Sequence, residues 1–123
     1  MDILYGSSKT EAQCTSLKAA RKLFGGRTEL AVSLFSRINA LENAETIRDI
    51  IVQKPFRFHS LTNKNGKDLE GLFAIDVKTV REPWRIILQP LNGDKQPFDP
   101  CHIDEIAGAV HIVKLMEVSK HYE

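Results

Sequence analysis

The chain has 123 residues, of which 42 % are hydrophobic and 27 % charged, with a formal net charge of +1 and only two cysteines. That size and balance predict one folded domain over residues 1–123 and exclude a disordered, collagenous or coiled-coil chain, while Cys14 and Cys101, far apart and outside any Cys-x-x-Cys spacing, exclude a disulfide framework. No apolar run approaches the ~20 residues that span a bilayer, and Met1–Gly6 lacks the basic start and apolar middle of a signal peptide, so a cytoplasmic location without membrane contact is expected.

In chain order, Asp2-Ile3-Leu4-Tyr5 is a short apolar run that suits a strand. Ser8 and Glu11 have capping-box spacing, which predicts a helix starting near Lys9. Cys14, Leu17, Ala20 or Arg21, and Phe24 then recur at intervals of three and four, giving a narrow apolar stripe, and Gly25-Gly26 ends the helix by accepting the left-handed cap conformation. A second, wider stripe runs through Leu30, Leu34, Phe35, Ile38 and Leu41, and the two helices are expected to form a hairpin. Asn43 is placed to cap a further turn or two carrying Ile47, Ile50 and Ile51, which Pro55 stops.

From Phe56 the pattern becomes strand-like, with Phe56 and Phe58 on one face and Arg57, His59 and Leu61 on the other. Asn63–Asp68 reads as an exposed basic hairpin turn. Residues 72–78 and 84–89 read as the next two strands, in the middle of an antiparallel sheet. An irregular loop over 92–102 and a final strand from about Ala109 to Val118 complete the chain. Helices followed by consecutive strands predict an α+β fold, an N-terminal helical hairpin on a curved antiparallel sheet.

Near-neutrality conceals a division of charge. Residues 9–27 carry five basic side chains against one acidic, a local +4; residues 54–85 carry seven against four, or +3; residues 94–123 carry three against six, or −3. No Walker loop, G-x-G-x-x-G, H-E-x-x-H or G-x-S-x-G occurs, and His59, His102, His111 and His121 lack zinc spacing, so no cofactor and no metal are expected. What remains is a set of cationic and acid–base side chains that the strand pattern can gather: Arg57 and His59 on one strand, Lys64 and Lys67 on its turn, Arg85 opposite, and His121-Tyr122 at the end. These residue types suit a phosphodiester. Cleaving RNA without a metal needs a base for the 2′-hydroxyl, cations for the charge developing on phosphorus and an acid for the 5′-oxygen.

Phe58-His59-Ser60-Leu61, a basic Gly-containing turn, Glu70-Gly71-Leu72-Phe73-Ala74-Ile75-Asp76, Pro83-Trp84-Arg85-Ile86-Ile87 and finally His121-Tyr122 together resemble toxins of the bacterial RelE/ParE superfamily, nearest to its HigB-like branch. The resemblance covers roughly residues 54–91, with the tail and the helix layout more loosely alike. It implies a RelE-like α+β toxin of a type II toxin–antitoxin system that cuts mRNA on the ribosome as a metal-independent endoribonuclease and is held by a helix-turn-helix antitoxin of the HigA kind.

Carried onto this chain, the resemblance implies catalytic roles for His59, Arg85 and Tyr122, and His121 beside Tyr122 is the fourth candidate catalytic residue. His59 is a candidate acid or base, Arg85 a phosphate clamp, and Tyr122 an aromatic that stacks on a base or assists proton transfer. Arg57, Lys64, Lys67, Arg81 and Lys120 make up the expected RNA-binding cations. Two alternatives share the fold: a non-catalytic ParE-like inhibitor of a protein target such as gyrase, and a degenerate toxin that only binds its antitoxin.

Overall fold

The computed structural model describes residues 1–61 and 69–122. The first strand is β1 (Asp2–Tyr5), followed by α1 (Ser8–Thr15), whose N-cap is Ser7, its hydroxyl accepting from the Thr10 amide at 3.1 Å. The cap is thus one residue earlier than the Ser8/Glu11 spacing predicts. The single helix expected through Phe24 is broken at Ser16. Its amide closes α1 on the Ala12 carbonyl (2.9 Å) while its hydroxyl accepts from the Ala19 amide (3.3 Å) and starts α2 (Leu17–Leu23). A serine that bonds to nearby backbone offers the chain an alternative to continuing a helix. The break turns Leu17 off the apolar stripe and leaves it 50 % exposed, while Cys14, Ala20 and Phe24 stay buried.

Gly25 and Gly26 end α2 at φ +63° and +88°, with the Gly26 amide donating to the Arg21 carbonyl at 2.7 Å. The longest helix, α3 (Thr28–Asn43), buries Leu30, Ala31, Leu34, Ile38 and Leu41 as its periodicity predicts. The short α4 (Arg48–Ile51) is nucleated by the Asp49 carboxylate, which accepts from the Glu45 and Thr46 amides. Asn43 does not cap it: its side-chain amide donates back to the Asn39 carbonyl at 2.9 Å.

The strand-like reading from Phe56 is corrected. Lys54–Phe56 form a 3-10 turn, Arg57 is left-handed (φ 50°, ψ 49°), and only His59–Ser60 remain as β2. Nevertheless Phe56 and Phe58 do face the core, and Arg57 and His59 do not. The central strands are β3 (Phe73–Asp76) and β4 (Arg85–Leu91). The stretch between the expected loop and the expected final strand forms α5 (Ile103–Ile106) and a 3-10 turn (Ala107–Ala109) that takes in the first residue of that strand, so β5 runs from Ile112 to Ser119.

The five strands lie in the order β1-β5-β4-β3-β2. Contrary to the antiparallel expectation the sheet is mixed: β1 runs parallel to β5, and the other pairs are antiparallel. β1 is the first element of the chain and β5 the last, and the helices and strands between them supply the long connection that a parallel pairing needs. Between Ile87↔Glu117 and Leu88↔Leu115, Met116 is the extra residue of a bulge in β5.

The sheet has two different faces. Ile75, Val77, Ile86, Leu88, Leu115 and Val118 point to the helices and share a core with Leu30, Leu34 and Leu41, while a second core joins Ile47, Ala107, Val110 and Val113. The outer face carries no helix among the described residues. Its centre is a small cluster of Leu61, Leu69, Ala74 and Ile87, with Leu72, Met116 and Tyr122 packed against it.

Candidate functional site

At one end of the outer face lies Asp76, 1 % exposed, alternating with the inward-facing Ile75 and Val77. A buried carboxylate is costly without partners, and Asp76 has two guanidinium groups. Arg57 binds it through two nitrogens, Nε to Oδ2 at 2.7 Å and a terminal nitrogen to Oδ1 at 3.1 Å; Nε of Arg85 lies 3.2 Å from Oδ1. The Asp76 main chain is held as well, its carbonyl accepting from Nε of Arg37 on α3 at 3.0 Å. Two arginines against one carboxylate leave a positive charge at this end of the sheet.

The two arginines differ in access. The Arg57 side chain is 40 % exposed, whereas that of Arg85 is 8 % exposed. One terminal nitrogen of Arg85 donates to the carbonyls of Glu82 (2.5 Å) and Trp84 (2.9 Å), and the other reaches the Val80 carbonyl at 3.4 Å. Arg85 therefore braces the β3–β4 loop from below.

His59 sits opposite Ala74, which pairs with Ile87, which pairs with Glu117, so these four residues form one row across β2, β3, β4 and β5. Strand spacing of ~4.8 Å puts the two ends of the row about 14 Å apart, with Ala74 and Ile87 between them as the buried floor of the apolar cluster that includes Leu61, Leu69, Leu72, Met116 and Tyr122. Nδ1 of His59 is 2.6 Å from the Arg57 carbonyl. A carbonyl can only accept, so Nδ1 carries a proton, and in the neutral ring Nε2 keeps its lone pair.

At the other end of the row the Tyr122 hydroxyl is bonded to the Glu117 carboxylate. Burial on the apolar floor first, and that hydrogen bond second, push the Tyr122 hydroxyl above its ordinary value, so it holds its proton through the neutral range. Ser119, opposite Arg85, accepts from the His121 amide at 3.1 Å through its hydroxyl and so bends the chain after β5.

Arg57, His59, Arg85 and Tyr122 are thus placed on one face. His121 is exposed just beyond β5, and Arg81 is exposed in the β3–β4 loop. Lys120 is not with them: its Nζ lies 5.7 Å from the centre of the Trp84 ring, which packs against the helix-side core. Lys64 and Lys67 lie outside the described residues. The sequence reading missed Asp76 and Glu117 as members of the site. Each is an acidic residue flanked on both sides by apolar ones in a strand run, a signal that was available before the structure.

Among the described residues no group of three histidine, cysteine or acidic side chains is placed to hold a metal ion, and no helix is long and apolar enough to cross a membrane. No family model matches the chain, and neither the curated proteins nor the solved structures contain a match to it.

Proposed function

We propose that the chain is a ribosome-dependent endoribonuclease toxin of the RelE-like kind, HigB-like in its strand motifs, that cleaves mRNA through its own side chains and is held inactive by a helix-turn-helix antitoxin. The observation that carries this reading is the outer-face row, which has an imidazole held through Nδ1 at one end, a phenol bonded to Glu117 at the other, and the Arg57–Asp76–Arg85 group beside it. Nε2 of His59 takes the 2′-hydroxyl proton. The excess positive charge around Asp76 stabilises the charge growing on phosphorus, with Arg57 as the exposed donor and Arg85 acting from beneath. Tyr122, oriented by Glu117, supplies a proton to the 5′-oxygen, and its ring on the apolar floor offers a surface for a base. His121 adds a second imidazole at the same strand end.

The basic helical edge supports a ribosomal partner: Lys9, Lys18, Arg21 and Lys22 are all exposed on α1 and α2 and offer charge for rRNA phosphates. Primer extension on mRNA during induced translation tests the reading. The wild type is expected to give discrete cleavage ends, and His59→Ala to reduce them by about 100-fold, the usual worth of a positioned base. Growth arrest of equal strength from wild type and His59→Ala, without cleavage ends, would overturn the nuclease. The burial of Arg85 bears on that outcome, because its terminal nitrogens are already committed to the carbonyls of the β3–β4 loop.

A further inference from the structure

We infer that Arg57 is a positioning residue that sets the tautomer of His59 through its own main chain. Arg57 has φ 50° and ψ 49°, a left-handed conformation that side chains with a Cβ adopt reluctantly. What holds it there is its guanidinium, gripped through two nitrogens by Asp76. Asp76 cannot follow the arginine, being a member of β3 paired to Arg85 across the ladder, with its carbonyl bonded to Arg37 and its carboxylate buried. The consequence of the left-handed turn falls two residues on: the Arg57 carbonyl is delivered to Nδ1 of His59 at 2.6 Å.

In water the neutral imidazole favours the proton on Nε2. The Arg57 carbonyl reverses that preference and leaves Nε2 bare on the outer face, where a proton can be accepted. The side chain of Arg57 therefore acts on His59 without touching it: buried carboxylate, guanidinium, strained backbone, carbonyl, imidazole. This rests on the proposed nuclease for its purpose, but the tautomer is a property of the isolated protein.

The experiment exploits the difference between glycine and alanine. Arg57→Gly and Arg57→Ala remove the same charge and the same grip of Asp76, yet only alanine disfavours the left-handed turn. Imidazole 15N shifts of His59, read in isolated protein at a pH where the ring is neutral, report which nitrogen bears the proton. The wild type is expected to show protonated Nδ1 and bare Nε2, Arg57→Ala a shift toward the Nε2-protonated form, and Arg57→Gly a population between the two. In cleavage assays the expected order is the same, with Arg57→Ala about tenfold below Arg57→Gly in kcat, a fraction of what a wrongly protonated histidine costs.

A wild type with the proton on Nε2, or an Arg57→Ala protein with the wild-type shifts, overturns the inference. The wild-type measurement needs no variant and so stands even if both substitutions unfold the chain. Absent cleavage with the expected shifts would sink the nuclease and leave the positioning role intact. Cleavage with the opposite tautomer would do the reverse.

Discussion

Asp76 is the residue on which the outer face depends, because it neutralises Arg85 in a buried setting while fixing Arg57 from the side. Replacing it by asparagine keeps the shape and removes the charge, which leaves two guanidinium groups facing each other with one of them buried. Asp76→Asn is expected to lower unfolding stability by about 3 kcal/mol, the usual cost of breaking a buried pair from one side, visible as a lower urea midpoint.

Tyr122 gives a second test at this scale. Burial and the Glu117 carboxylate both hold its proton, so Glu117→Gln should bring its ionisation down while leaving it above the ordinary value of about 10. Ultraviolet titration of tyrosinate follows this, with the other tyrosine, Tyr5, also raised, chiefly by burial, and unaffected by the substitution. The protonated tyrosines contribute fully below the unfolded value near 10, and that contribution is lost as pH rises through the higher folded values.

Among the elements, the junction of β1 with β5 is the most tightly toleranced. Gly6 donates to the Leu115 carbonyl at 2.9 Å, and a Cβ built on it would come within 2.6 Å of the Met116 carbonyl oxygen, which is backbone and part of the β5 bulge. Neither partner is the flexible end of a side chain, so the clash cannot be relieved locally. Gly6→Ala is expected to cost about 2 kcal/mol in thermal or urea unfolding, the range seen when a packed site is overfilled. The same bulge orders the outer face: beyond Met116 the alternation of β5 resumes with Glu117 outward and Val118 inward, which puts Glu117 opposite Ile87 and within reach of Tyr122.

Across the whole molecule, the helical layer and the sheet are joined at the rim as well as through the core. Arg27, at the start of α3, binds Glu82 of the β3–β4 loop through both terminal nitrogens at 2.7 and 3.0 Å, next to the carbonyls that Arg85 braces. Ser33 and Arg37 on α3 add bonds to the carbonyls of Val77 and Lys78, at 2.6 and 3.0 Å. The hydrogen bond from Arg27 holds the Glu82 carboxyl below its ordinary value, so its stabilising effect is present above about pH 4 and is lost as pH falls through the depressed folded value. A Glu82→Gln protein should therefore unfold more readily than the wild type at neutral pH, and the two acid-unfolding curves should converge below about pH 4.

Much of this was legible before any coordinates. The apolar periods located α3 and the central strands, and Gly25-Gly26 marked the end of α2. These features are local, since spacing along a chain dictates which side chains share a face. The break at Ser16 was missed because the apolar stripe continues across it, and the left-handed Arg57 because the carboxylate that grips its guanidinium lies 19 residues further along the chain.

Only the tertiary structure decided the partners. Arg85 looks the same in the sequence whether it meets a phosphate or a ring of loop carbonyls, and Asp76 and Glu117 become parts of a site only when register brings Arg57, Arg85 and Tyr122 to them. The direction of β1 is of the same kind, set by its pairing with a strand more than a hundred residues away. A strand's pattern determines its faces; pairing across long stretches of chain determines what stands on them, and that choice belongs to the packed whole.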